Sequence, residues 1–532
     1  MAEADCSLLH TPWINPLVRD YLQGVARASA GIPAPPQLEA FAAHISRKQN
    51  QYSPSHRATL VRVLEQQYQS LEPATAVVNN IKALAQPTTF TVTTGHQLNL
   101  FGGPAFMVYK MVATIQLARQ LQQQYPEYHF VPLFWLASED HDFEEINHLF
   151  TQNQKVTWVT NAAQAPVGRL VLHDMEVLQQ QLQSLWGQSA QAQTLLDSFA
   201  QAYQNGRTLA QATLHWVHQW FGAEGLVQLQ PDQPELKALF APIMAQELRD
   251  NTLYESVNRT TQNWGDYPVQ AHARQLNLFY IHNHQRLRLE RQGEQIEALG
   301  GGPKGSLSEW LQRLDHSPEA FSPNALMRPV YQECILPNLA YMGGGAEVSY
   351  WLQLPSSFEA FHLSYPQLIL RPSALVFSQR QWTQWHQKGL TLIDFTLPID
   401  QLHQQMVRQW SQLPLDVSPL KNQWHEQIQQ LQLWAQQTDP SFQGALGAFE
   451  KKHQKALDQL EKRLFKAEKR AHEQQWAKIQ QLWNVAYPAG VLQERRQHFA
   501  DFYLQGGTDW WEQLYHNIGP LDASLHAFIL PQ

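Results

Sequence analysis

Cysteine is nearly absent. Two thiols, Cys6 and Cys334, serve a chain of 532 residues. An extracellular protein of this size usually carries a disulfide framework, so the expected compartment is the reducing cytoplasm. Charge is scarce as well: 16 % of residues are Asp, Glu, Lys or Arg, and the formal net charge is −8, so no basic field invites nucleic acid. No window approaches the ~18 consecutive apolar residues of a membrane span. The opening residues, M-A-E-A-D-C-S-L-L-H, lack the basic-then-apolar order of a signal peptide. The expectation is a soluble cytoplasmic protein with neither membrane nor nucleic acid as partner. What abounds is apolar: 43 % of the chain is hydrophobic and 18 residues are Trp, enough at this length for two or more structural units.

The richest stretch runs from Thr94 to His148. Thr88 to Thr94 is dense in Thr, Val and Phe, the composition of a buried strand. Gly95 breaks it, Gly102 and Gly103 permit unusual backbone angles, and Pro104 suits the first turn of a helix. Ala105 to Leu121 is apolar on most faces and predicts a buried helix. About His129 to Ala137 the apolar character is almost unbroken, as in a strand covered on both sides. This is a strand–helix–strand unit with a right-handed crossover. Thr94, Gly95, His96, Gln97 and Asn99 leave the carboxyl end of its first strand. Ser138, Glu139, Asp140, His141 and Asp142 leave that of the second, with Asn147 and His148 soon after. Ligands of open α/β sheets bind beyond such ends, and the start of the Pro104 helix, with free N–H groups, would suit a phosphate or carboxylate.

Further on, Gly225 to Gln230 reads as another parallel strand, and Asn277 to Glu290 as a hairpin turning at His282-Asn283-His284. His215 and His218 share a helical face with Trp216 and Trp220 beside them, a packing arrangement. Ser306 and Glu309 have capping-box spacing, and Lys304 before them is open to two readings, a phosphate contact or a solvated loop lysine. Asn324 to Tyr350 reads as helix, strand and a triple-glycine turn, Gly343, Gly344 and Gly345, that feeds a helix with Glu347 in its first turn. Leu368 to Arg371 predicts a last core strand with Arg371 at its carboxyl end. From about 398 the pattern changes. Leu420, Trp424, Ile428, Leu431 and Ala435, then Phe449, Ala456, Leu460, Leu464, Ala467 and Ala471, step by three or four, the signature of an antiparallel coiled coil. The expected division is 1–397, 398–486 and a tail, 487–532, that returns to core-like sequence.

Four blocks carry a resemblance: T-G-H-Q-L-N-L-F-G-G-P at 94–104, V-P-L-F-W-L-A-S-E-D-H-D-F-E-E-I-N-H at 131–148, R-P-V-Y-Q-E-C-I-L-P-N-L-A-Y-M-G-G-G-A-E-V-S-Y-W at 328–351, and L-Q-E-R-R at 492–496. Over essentially its full length the chain resembles the bacillithiol biosynthesis cysteine-adding enzymes. The resemblance implies an α/β, Rossmann-like parallel-sheet core with connecting-peptide insertions and a C-terminal antiparallel coiled coil serving a homodimer. It also implies a ligase activity. The family is credited with joining cysteine to glucosaminyl-malate through an amide, so those two small molecules are the implied substrates. Its core is similar to nucleotidyltransferases and class I synthetases, whose H-x-G-H signature binds ATP phosphates; here Thr93 to His96 keeps the final Gly-His. ATP is thus the candidate cofactor, with Mg²⁺ only as the nucleotide's companion and no resident metal, and whether it is consumed stays open.

Amide formation needs an activated acyl group, a neutral amine and donors for the developing oxyanion. The expected catalytic residues are Asp140, Asp142 and His96. Thr94, Gly95, Gln97, Asn99, Gly102, Gly103, Glu139, His141, Asn147, His148, Gly343, Gly344, Glu347 and Arg371 are the expected substrate- or phosphate-binding residues. Two rival readings stand beside this one. A metal-dependent hydrolase could draw ligands from His96, Asp140, His141, Asp142, Glu145 and His148. A non-enzymatic coiled-coil assembly protein would need none of these side chains.

Overall fold

A computed structural model describes residues 6–28, 31–32, 35–162 and 164–531. The chain divides into two compact units, residues 1–380 with 491–532, and residues 381–490. At the centre of the first lies a five-stranded sheet: β1 (Thr89–His96), β2 (His129–Leu136), β3 (Val227–Leu229), β4 (Asn338–Gly343) and β5 (Gln367–Leu370). Every pairing is parallel, in the order β5-β4-β1-β2-β3. The chain builds outward from β1 in one direction, then restarts on its other side at β4. The gap between β1 and β4 is therefore the topological switch point of a Rossmann-like sheet, where crossovers leave opposite faces and a crevice opens.

The threonines of β1 fix that junction. Thr91 and Thr93 donate to the side-chain oxygen of Asn338 at 3.1 and 2.8 Å, and Thr94 donates to the carbonyl of Met342 at 2.8 Å. Buried hydroxyls need partners, and these find them only in one register of β1 on β4. Helix α1 (Phe106–Gln124) crosses from β1 to β2. Pro104 lies just outside it instead of in its first turn, bridged to His498.

The segment between β2 and β3 holds a hairpin, His148–Thr151 with Gln154–Thr157, and three helices, Met175–Trp186, Ala190–Ala202 and Leu209–Phe221. His218 packs as expected, accepting from the Ala74 N–H at 3.1 Å. The segment between β3 and β4 begins with α2 (Pro234–Asp250) and adds an antiparallel sheet from 278 to 323. Its first hairpin turns at Asn283 and His284, both at positive φ, as the pattern indicated. Helices α3 (Arg328–Ile335) and α4 (Gly345–Trp351) flank β4. The returning tail supplies a strand, Ser524–Leu530, that pairs in parallel with Ser373–Ser378.

The second unit is helical. Here α5 (Ser418–Ala435) and α6 (Pro440–Ala471) run back to back about the turn at 436–439, which Asp439 caps by accepting from the Ser441 N–H at 2.9 Å. Ile428, Ala435 and Leu446 form the seam, with Trp424 and Leu431 packed against it. Lys421 bridges to Asp458 at 2.8 Å and Glu461 at 2.7 Å across the pair. The unit starts at 381 instead of 398, because Trp385 stacks on Phe395 at 3.8 Å and Tyr487 donates to the Phe395 carbonyl at 2.9 Å. No helix among the described residues is long and apolar enough to cross a membrane.

Candidate active site

A cavity of about 240 Å³ opens at the switch point. Gly95, His96 and Gln97 reach it from the end of β1, and Trp135, Ser138, Glu139 and Asp140 from the end of β2. Tyr341, Glu347 and Tyr350 reach it from β4 and α4; Arg286, Asn324 and Arg328 complete the wall. The two polar clusters flanking the α1 crossover therefore converge on one space. A second hollow of about 300 Å³ shares Asp140, Arg286, Asn324 and Ala325 with it and adds His141 and Asp142.

The carboxylates of the cavity are individually anchored. Glu347 accepts from Lys110 at 2.8 Å, from the Tyr341 hydroxyl at 2.7 Å and from the Gly344 N–H at 2.8 Å. Burial alone would raise its pKa, but the Lys110 ammonium and these donors overcome that and hold it at about 2. Lys110, fully buried in α1, also donates to the Gly95 carbonyl at 2.6 Å, tying the end of β1 to the start of α4. Glu139 is ion-paired with Lys237 of α2, which also donates to the Phe321 carbonyl at 2.6 Å. Asp140 accepts from the Gln97 amide at 2.8 Å and from the His141 N–H at 2.8 Å. Gln97 spans the gap, donating also to Glu145 at 2.9 Å.

His96 donates from Nδ1 to the Gln97 carbonyl at 3.1 Å, which leaves Nε2 as the acceptor. Burial, followed by the Lys110 charge, lowers its pKa to about 4, so the ring is neutral at physiological pH. Partial desolvation, and then the charge of Asp140, push the Asp142 carboxyl above its usual range.

Other expected binding residues lie elsewhere. Thr94 is buried in the β1–β4 junction. Gly102 and Gly103 have φ of +85° and +61°, and a Cβ on them would stand 2.3 Å from the Trp216 ring and 2.5 Å from Asn99. Their backbone freedom serves close packing. At the N-terminus of α1, Ala105 N–H bonds to the Gln497 carbonyl at 2.9 Å, and the N–H groups of Met107, Val108 and Tyr109 bond to the carbonyls of Pro104 and Ala105. At the second glycine turn, Gly344 N–H is taken by Glu347, and the Gly343 carbonyl accepts from the Arg371 N–H at 2.8 Å. In each turn part of the backbone is thus engaged within the protein. Arg371 faces the buried Glu494 at 2.6 Å. Asn147 and His148 hydrogen-bond to each other at 3.0 Å in the hairpin. Lys304, half exposed, sits 3.7 Å from Glu297.

Asp140, His141 and Asp142 bring potential ligand atoms within 4.8 Å of one another. Yet Arg286 stands in that space, with NH1 3.1 Å from His141 Nδ1 and 3.9 Å from Asp140. A fixed guanidinium there opposes a second cation. Only Phe143–Ile146 is helical in this block, so His141, Glu145 and His148, candidate ligands of the hydrolase reading, do not share one helical face.

Sequence reasoning passed over Arg328, Lys110 and Arg286. Arg328 opens α3, beside Pro329 in the helix's first turn, and a cation at the positive end of a helix dipole is itself an unusual placement. Nothing in the local pattern marks Lys110 or Arg286, whose partners lie far along the chain.

A Rossmann-like core with its cavity at the switch point, joined in sequence to an antiparallel helical coil, places the chain among α/β proteins with a Rossmann-like domain. The family model "Bacillithiol biosynthesis BshC, N-terminal Rossmann-like domain" matches residues 3–372, and its C-terminal coiled-coil counterpart matches residues 374–529. The chain belongs to this bacillithiol biosynthesis BshC family. Its relatives include proteins named "Putative cysteine ligase BshC" from Flavobacterium johnsoniae, 37 % identical over 527 residues and 99 % of both chains. Another from Christiangramia forsetii is 37 % identical over 522 residues, covering 97 % of this chain and 96 % of its own. One from Bacillus cereus is 25 % identical over 492 residues, covering 89 % and 91 %.

Proposed function

We propose that this protein is a ligase that joins the carboxyl group of cysteine to the amine of glucosaminyl-malate as an amide. The observation that carries the reading is the convergence of Asp140, Gln97 and His96 on one cavity at the switch point of a sheet whose family relatives are named cysteine ligases. The amine arrives as an ammonium. Asp140, its geometry set by Gln97 and the His141 N–H, attracts that cation and accepts its proton, directly or through water. Neutral His96 offers an acceptor at Nε2 to orient the amine or a neighbouring hydroxyl. Hydroxide is a poor leaving group, so the acyl carbon must arrive activated. A nucleoside triphosphate is the candidate donor of that activation, and no step is derived through it. Incubation of the protein with cysteine and glucosaminyl-malate, with and without ATP, should yield a product heavier by one cysteinyl residue in mass spectra. Absence of that product in both arms overturns the proposal.

A further inference from the structure

Of the two arginines that line the cavity and the two lysines paired with its carboxylates, Arg328 alone lacks an acidic partner at ion-pair distance among the described residues. Lys110 pairs with Glu347, and Lys237 with Glu139. Arg286 bonds to Ser322, to the Pro323 carbonyl and to His141, with Asp140 at 3.9 Å. Arg328 instead makes two neutral contacts, NH1 to the Gln332 side chain at 3.1 Å and NH2 to the Tyr350 hydroxyl at 3.3 Å. Its guanidinium is wedged among the rings of Tyr341 at 5.3 Å and Trp135 and Trp351 at 5.8 Å. Glu347 lies near enough to be felt electrostatically, but its oxygens are engaged by Lys110, Tyr341 and Gly344. In the same cavity the Ser138 hydroxyl is fully buried and has no hydrogen-bond partner.

The half-buried guanidinium has only neutral hydrogen-bond partners, and a cation in the first turn of α3 is opposed by the helix dipole. An anion bound at the fork offsets that opposition. The aromatic box holds the guanidinium plane still, and a planar fork of donors fits a carboxylate in bidentate fashion. We infer that Arg328 is the anchor for a substrate carboxylate in the inner cavity, with the Ser138 hydroxyl as an auxiliary donor. The substrate class rests on the ligase reading. Two sources share the chemistry: the malate half of the acceptor, and the carboxyl group of cysteine.

The test compares wild type with Arg328→Met and Arg328→Lys. Titration of each protein with L-malate and, separately, L-cysteine, followed by calorimetry and thermal shift, needs no turnover. One of the two probes should stabilise wild type saturably and leave the Met variant unmoved. Without ligand, Arg328→Met should melt at or above the wild-type temperature. In turnover, Arg328→Lys should raise KM for the substrate bearing that carboxylate about 30-fold, the scale of a lost bidentate charged pair, with kcat far less affected. If neither probe binds wild type, or if the Met variant binds as wild type does, the proposal is overturned. It is equally overturned if that variant unfolds or melts well below wild type, because Arg328 would then be structural. Should probe binding depend on Arg328 while no amide forms, the anchor stands and the ligase reading falls.

Discussion

At the scale of single residues, the decisive group is Asp140. Its carboxylate could serve chemistry or simply cap the short helix Phe143–Ile146. The geometry weighs against capping: Asp142 occupies the N-cap position without a side-chain bond, and Asp140 accepts from the N–H of its own neighbour and from Gln97. Asp140→Asn keeps size and hydrogen bonding but loses both charge and basicity. Turnover should fall by about 100-fold or more, with an unchanged melting temperature. Near-normal turnover would transfer the role to Asp142, the neighbour with the raised pKa. Gly95, His96, Gln97 and Asp140 were legible in the sequence because each stands at or just beyond the carboxyl end of a recognisable strand. Contrary to expectation, Gly95 does not break the first one, since the pairing with the second strand runs on through His96. Thr94 and Arg371 were misplaced for one reason: a polar residue at a strand end looks the same whether it faces a ligand or a partner. Their partners, Met342 and Glu494, are distant in the chain.

At the scale of elements, the strands β1 and β2 and the helix between them could be read from periodicity alone. The closure of the turn before that helix could not. His498, brought from the far end of the chain, donates from Nε2 to the Phe101 carbonyl at 2.6 Å and accepts at Nδ1 from the Ala500 N–H at 3.1 Å. Acceptance at Nδ1 requires the neutral ring, and burial lowers its pKa from 6.5 to about 4. The sign follows from proton binding. Below pH 6.5 the unfolded chain takes up a proton that the folded chain refuses, so stability falls as pH drops from about 6.5 to about 4. This one group removes about 3 kcal/mol over that window. Asp501, three residues on, acts oppositely. Burial raises its pKa from 3.8 to about 6, so the penalty on its charged form is relieved as pH falls through 6. His498→Asn should be less stable than wild type at pH 7.5, and its urea midpoint should fall less between pH 7 and pH 5. A parallel pH dependence in the two proteins would show that the ring is not the titrating group.

At the scale of the whole molecule, the two-helix coil poses a packing problem. A pair of helices has one mutual seam, here Ile428, Ala435 and Leu446 with Trp424 and Leu431, and the rest of its surface faces outward. Yet Leu420, Leu433, Trp434, Phe442, Phe449 and Leu460 are all exposed, Trp434 at 65 %. Leu420, Phe449 and Leu460 sit in the heptad-like steps that announced the coil, so the pattern read from the sequence is wider than one seam can absorb. Isolated surface apolar residues need no explanation, but a row of large ones on a single helical pair does. A second copy presenting the same surface would cover it, and a twofold arrangement is the common way for like surfaces to meet. The expected species at micromolar concentration is a homodimer by sedimentation equilibrium. Trp434→Glu with Leu460→Glu should yield the monomer with its far-ultraviolet circular dichroism intact, because both residues are exposed and neither forms or packs against the seam. A wild-type protein sedimenting as a monomer would sink the expectation. A double variant that stays dimeric would move the interface off these helices.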